Sequence, residues 1–120
     1  MALSTNGFES VAQLNRHFSE HGSDFGASNP SEYEQMADTF LGVVRPDTVL
    51  ECPRSRGARL RYDPASEAFG VIGAAGIIRT YFRPVPCSSL PGSIREARRK
   101  TGRCHQYANN LVYFKAECKK

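Results

Sequence analysis

"FGVIGAAGIIRTYFRP", Phe69 to Pro84, decides how this chain is read. Two apolar runs flank a Gly-Ala-Ala-Gly turn, and both carry the β-branched and aromatic residues that strands favour, so the stretch reads as a β-hairpin. At a period of two, Ile78, Thr80 and Phe82 share one face of the second strand, while Ile77, Arg79, Tyr81 and Arg83 share the other. A strand meant only for a core would stay apolar there. Thr80 has two readings. It is a strand former whose hydroxyl finds a backbone partner, or a hydroxyl held rigidly beside a reacting group.

Upstream of the hairpin, "ARLRYDP" alternates Leu60 and Tyr62 with Arg59 and Arg61, and Asp63-Pro64 turns the chain, completing a three-stranded antiparallel meander over about 57–84. Further back the period is helical. "NGFESVAQLNRHFSEHG" places Val11, Leu14, Phe18 and His21 on one stripe, with Asn6 and Glu9 as a capping box and Gly22 as a stop. "SNPSEYEQMADTFLG" follows with Asn29 as N-cap, Pro30 at the first helical position, Glu32 at N3, a stripe of Tyr33, Met36, Phe40 and Leu41, and Gly42 as the stop. The helical part thus spans about 6–42. Beyond Pro86, "GSIREARRKTG" reads as a basic helix capped by Ser93 and Glu96, and "NLVYFK" as a last strand, together about 92–116. Helices followed by strands predict an α+β fold in which the N-terminal helices pack on one face of a twisted antiparallel sheet and leave the other face free for a site.

The 120 residues suit a single domain, and 40% hydrophobic with 23% charged residues is a globular composition. No apolar run approaches the roughly 20 residues of a bilayer helix, and "MALSTNGFESVAQ" lacks the basic and apolar regions of a secretion signal, so a soluble chain without an address is expected. Sixteen Lys and Arg against twelve Asp and Glu leave a formal charge of +4, concentrated in "RSRGARLR" and "REARRKTGR". Such patches attract polyanions, nucleic acid above all. Cys52, Cys87, Cys104 and Cys118 form no metal-binding spacing, so no metal or cofactor is expected. Free thiols in a reducing compartment are the default, with one or two disulfides left open by the even count.

His17 and His21, four apart, are neighbours on one helix face and titrate near neutral pH. They lack a third metal ligand, and a structural histidine is the plainer alternative. Cleaving RNA without metal needs a base for the 2′-hydroxyl proton, an acid for the leaving oxygen, and cations or hydroxyls around the phosphorane. Histidine, arginine and threonine supply that set. Paired glycosidase carboxylates, a GxSxG elbow and a phosphate-cradling glycine loop are absent.

In this order, "HFSEHGSDFGASNPSEYEQMADTFL" and "LRYDPASEAFGVIGAAGIIRTYFRP" resemble the C-terminal ribonuclease toxins of contact-dependent inhibition and other polymorphic toxin systems, in the barnase, EndoU, colicin and RelE (BECR) superfamily. The resemblance covers about Leu14 to Pro84. It implies metal-independent cleavage of RNA, often tRNA, in the cytoplasm of a target bacterial cell, by a domain that can be the delivered end of a larger protein. His17 would be acid or base, Arg61 would hold the scissile phosphate, Thr80 would position it or the attacking hydroxyl, and His21 would match a second family histidine. Arg59, Arg79, Tyr81 and Arg83 would line the RNA-binding face, Tyr81 stacking a base, with Arg98 and Arg99 adding grip. An acidic immunity protein would restrain the enzyme in its producer. Glu20 stands where members often have Lys, and the segment after Pro86 has no clear counterpart. A non-catalytic RNA-binding module with a structural His17, and a protein-interaction domain using the meander edge, are the alternatives.

Overall fold

A computed structural model describes residues 3–42 and 44–120. Where length argues for one domain, the chain divides into two compact units, Met1–Arg83 and Pro84–Lys120.

The first unit begins with helix α1 (Val11–His21), a short 3-10 turn (Gly22–Phe25) and helix α2 (Pro30–Leu41). Strands β1 (Leu50–Pro53), β2 (Arg59–Tyr62), β3 (Phe69–Ile72) and β4 (Ile78–Phe82) then form one antiparallel sheet in chain order. The predicted meander is strands β2 to β4. Strand β1 escapes the sequence because four residues containing Glu51 and Pro53 show no alternation, and its proline is tolerable at a sheet edge.

Helix α2 starts as its sequence dictates, with Asn29 Oδ1 accepting from the Glu32 N–H and Pro30 at the first position. Helix α1 starts later than the capping box suggests. Ser10 Oγ accepts from the Gln13 N–H, while the Asn6 side chain donates to the Ala75 carbonyl. The reason is competition between partners: the segment before α1 is drawn alongside β4, with Asn6 N–H bonded to Gly76 O and Ile78 N–H to Gly7 O. The α1 stripe shifts with it. Val11 is 74% exposed, Leu14 and Phe18 pack on the core, and the buried residue is His17.

Phe8, Tyr33, Ala37, Leu41, Ile72, Ile78 and Tyr81 make the core between helices and sheet. A Cβ on Gly70 would sit about 3.1 Å from the Leu41 side chain, so glycine there lets α2 lie close on the sheet. The strict alternation assigned to β4 fails at one place. Val71 pairs with Thr80 but Ile72 pairs with Ile78, which leaves Arg79 as an extra residue in a β-bulge. Ile78 and Tyr81 thereby both face the helices. Residues on the opposite face, Leu60, Tyr62, Phe69 and Val71, are buried too, so the expectation of a free second face is overturned. Four large apolar side chains in a row cannot be left in water at low cost.

The second unit holds a 3-10 turn (Cys87–Ser89), helix α3 (Gly92–Lys100) and helix α4 (Asn110–Cys118). The last strand assigned to "NLVYFK" is thus a helix. Asn109 Oδ1 caps it by accepting from Val112 N–H, Asn110 and Phe114 are buried at i, i+4, and Lys115-Ala116-Glu117 continue with good helix formers. Helix α3 forms as read but without its capping box, because it begins at Gly92 with Ser93 already inside. Free thiols are also corrected: no described cysteine is free, Cys87 bonds Cys104, and Cys52 and Cys118 are disulfide-bonded as well. A unit of under 40 residues whose buried side chains include Cys87, Asn110 and Phe114 has little core to hold it, and closing a loop of 17 residues contributes on the order of 3 kcal/mol.

Candidate active site

Gln13, Arg16 and His17 recur at i, i+3 and i+4 on α1, so one side of the helix presents them together, with Glu9 just before its N-cap. They form one wall of a cleft of about 700 Å³ in the first unit. Its other wall is the β3–β4 turn, Gly73 to Ala75, followed by Ile77 and Arg79, with Arg56 added from the turn before β2 and Phe8 and Ile78 below. Three arginines and one glutamate give the cleft a positive balance.

His17 is the cleft's titratable centre. It is 8% exposed, its ring lies 5.2 Å from that of Phe8, and its Nδ1 has no hydrogen-bond partner. Arg16 Nη2 is 3.4 Å from Nε2, which assigns the lone pair to Nε2 and the proton to Nδ1. Burial, then the Arg16 guanidinium and the neighbouring His21, lower its pKa from 6.5, and Glu20 opposes them only in part. The imidazole is therefore neutral at pH 7, with its basic nitrogen beside a cation.

Arg79 owes its place to the bulge, which removes it from ladder pairing and turns it toward the cleft. A Cβ on Gly73 would stand 3.2 Å from Arg79 Nε, so the turn's first glycine makes room for that guanidinium. Arg56 sits at φ 62, in the left-handed region that residues with a Cβ seldom occupy. Gly57 follows at φ 78, and a Cβ there would meet Ala74 at 2.8 Å. The turn carrying Arg56 is thereby seated against the turn that forms the opposite wall.

Of the residues expected at a site, His17 and Arg79 meet in the cleft, and the others go elsewhere. His21 lies one turn beyond His17, ring centroids 6.2 Å apart, near Glu20, Asp24 and the Phe82 ring. Arg61 is buried on the helix-facing side, its Nε on Glu51 and its Nη1 on the carbonyls of Phe40 and Gly42. It closes the C-terminus of α2 rather than facing a ligand. Arg59 is exposed and also holds Glu51. Tyr81 does not offer a stacking face: it is buried, its ring stacked 4.0 Å from Phe25 and close to Tyr33 and Phe40. Arg83 binds the Asp24 carbonyl and lies over the Phe25 ring. Arg98 and Arg99 belong to exposed α3, Arg99 paired with Glu96. Thr80 pairs with Val71 on the sheet's other face and does not line the cleft.

Arg16 and Arg56 were not singled out from sequence. The signal for Arg16 was available in its helical register with Gln13 and His17. Arg56 lies in the basic run "RSRGARLR", but its place in the cleft depends on two turns meeting. Thr80→Val is accordingly expected to leave the chemistry of the cleft intact, with RNA cleavage within about twofold of the wild type; a loss of 10²-fold or more would return Thr80 to the reacting centre.

Glu9 and His17 are the only metal-ligand types lining the cleft, and among the described residues no three His, Cys, Asp or Glu side chains gather to hold an ion. No protein-family model matches the chain, and no curated protein matches it. Among the described residues, no helix is long and apolar enough to cross a membrane.

Proposed function

We propose that the first unit is a metal-independent endoribonuclease, with His17 as the general base and Arg16, Arg56 and Arg79 holding the scissile phosphate. One observation carries this reading: a buried, neutral imidazole, its Nε2 lone pair beside the Arg16 guanidinium, stands in a cleft with three arginines. A neutral base beside cations suits 2′-hydroxyl chemistry, which must remove a proton while negative charge grows on the phosphorane. His17 Nε2 takes the 2′ proton as the 2′-oxygen attacks phosphorus and the bond to the 5′-oxygen breaks. Solvent protonates the departing 5′-oxygen and recovers the proton from the imidazolium. The products are a 2′,3′-cyclic phosphate and a 5′-hydroxyl.

The sequence resemblance to BECR toxins supports the wider reading: a toxin, acting on RNA such as tRNA inside a target bacterium, neutralised by an acidic immunity protein. The positive cleft suits such an inhibitor, since opposite charge speeds encounter.

The test is cleavage of total RNA in EDTA with analysis of the ends. Cleavage is expected to persist and leave cyclic phosphate, whereas dependence on added magnesium would refute the mechanism. The pH profile follows from the direction of the His17 shift. A base with a lowered pKa stays competent to lower pH, so kcat/KM is expected to hold steady through neutrality and fall only below 6.5. An acid limb above 6.5 would assign the base elsewhere. RNA that is bound but never cut would make the chain a binding module.

A further inference from the structure

Helix α3 is odd for a helix in a folded unit. None of its residues is buried. A helix without a buried stripe gains almost nothing from packing, so something else must hold it and some other use must explain its surface. It is held at its root. Arg95 donates from Nε to the Cys87 carbonyl and from Nη2 to the Leu90 carbonyl, and Cys87 is fixed by its disulfide to Cys104. The exposed remainder is cationic: Arg98, Arg99 and Lys100 fill the last turn, against a single Glu96. Arg98 and Lys100 make no ion pair among the described residues, whereas Arg99 is taken by Glu96.

The same cysteine fixes an aromatic cluster. Cys87 N–H bonds the His105 carbonyl, and His105 N–H bonds the Val85 carbonyl, a short parallel bridge beside the disulfide. His105 is locked in turn by Asn110 Oδ1 at 2.7 Å from Nε2, and its ring stacks on Tyr113 at 4.5 Å and 10°. Tyr107 lies against both, 5.8 Å from His105 and 6.1 Å from Tyr113, yet remains 37% exposed. Its backbone N–H is bonded to His105 Nδ1, so the residue is placed rather than loose. An aromatic face on a rigid support, seven residues from a cationic helix end and hence at most about 25 Å away, is what an unpaired strand requires: stacking for a base, point charges for phosphates.

We infer that the second unit is a binding platform for single-stranded nucleic acid, with Tyr107 stacking one base and Arg98 and Lys100 holding neighbouring phosphates. The inference rests on the proposed RNA cleavage only for which nucleic acid is carried. In that setting the platform would favour an unpaired loop or end over a duplex, whose bases are already stacked.

The experiment uses the full chain and a fluorescent 2′-O-methyl oligouridine, which cannot be cut through its 2′ position, so binding is read whether or not the cleft is an enzyme. Tyr107→Ala is expected to weaken binding by about 5- to 150-fold, the range of one stacked base, with little change in salt dependence. Tyr107→Phe should retain most of the affinity. Arg98→Ala with Lys100→Ala should reduce the salt slope by about 0.7 for each phosphate that is no longer neutralised. The same strand annealed into a duplex should bind more weakly. Wild-type affinity in Tyr107→Ala, or equal binding of duplex and single strand, would overturn the platform, and wild-type affinity in the α3 double variant would overturn the phosphate-holding role of Arg98 and Lys100. Cleavage of ordinary RNA by Tyr107→Ala, assayed in parallel, separates this result from the reading of the cleft.

Discussion

Replacing His17 by Gln is expected to slow RNA cleavage by about 10²- to 10⁴-fold while leaving binding of an uncleavable oligonucleotide within a few fold of the wild type. Gln retains a polar head and similar bulk but has no nitrogen able to accept the 2′ proton. The arginines of the cleft contact phosphate both before and during the reaction, so losing the base alone should appear in kcat far more than in affinity. His17→Ala would confuse the result by opening a hole beside Phe8 in a packed region. The measurement is single-turnover cleavage alongside anisotropy, with folding checked by circular dichroism. A folded His17→Gln protein that cuts at the wild-type rate would make His17 a buried structural histidine and remove the basis of the enzymatic reading.

The second large effect is on stability. Glu51→Gln is expected to cost about 3–5 kcal/mol, because it leaves the buried Arg61 guanidinium without its counter-charge. For a protein of this size that should lower Tm by more than about 10 °C. The wild-type carboxyl also sets acid stability. Hydrogen bonds from Arg59 first, and from Arg61, take the Glu51 pKa from 4.5 down to about 2. A carboxylate depressed by folding stabilises fully above its unfolded pKa and progressively less below it, so this contribution is present above pH 4.5 and lost as pH falls toward 2. Thermal unfolding of wild type and Glu51→Gln should therefore differ most above pH 4.5 and converge in acid. If the variant melts with the wild type at pH 7, the ion pair is idle and Arg61 regains its claim on the substrate.

The sequence carried the elements whose signals are local. Asn29, Pro30 and Glu32 open α2 by short-range chemistry, and the apolar runs around Gly73 to Gly76 need only their neighbours to become a hairpin. It failed wherever a distant partner decided. Asn6 looked like a cap but finds the Ala75 carbonyl instead, across the whole unit. "NLVYFK" has the composition of a strand, yet Asn109 supplies a cap and Phe114 a buried anchor one turn from Asn110, and helix prevails. The site shows the same division. His17 was legible as a titratable residue on a helix face. Its company was legible only in part: Arg79 stood out as a polar residue of the strand and Arg56 lies in the basic run "RSRGARLR", but the left-handed turn and the bulge that bring them to His17 leave no mark in composition or periodicity. The arginine that did look catalytic, Arg61, is bound by Glu51, which reaches it only once β1 is paired with β2, and by two carbonyls at the end of α2.

The bulge in β4 has a consequence for how this protein could change. Ile78 and Tyr81 on either side of it are fixed by the core, and substitutions there must satisfy packing first. Arg79, looped out between them, answers to no ladder partner and faces the cleft, so its identity is less bound by the fold than theirs. A lineage could exchange it for Lys, Gln or Tyr and retune what the cleft accepts without first acquiring stabilising changes elsewhere. Removing the residue altogether would be another matter, since the strand would regain even alternation and turn either Ile78 or Tyr81 to the wrong face. Position 79 is thus open to variation in kind but closed to variation in number.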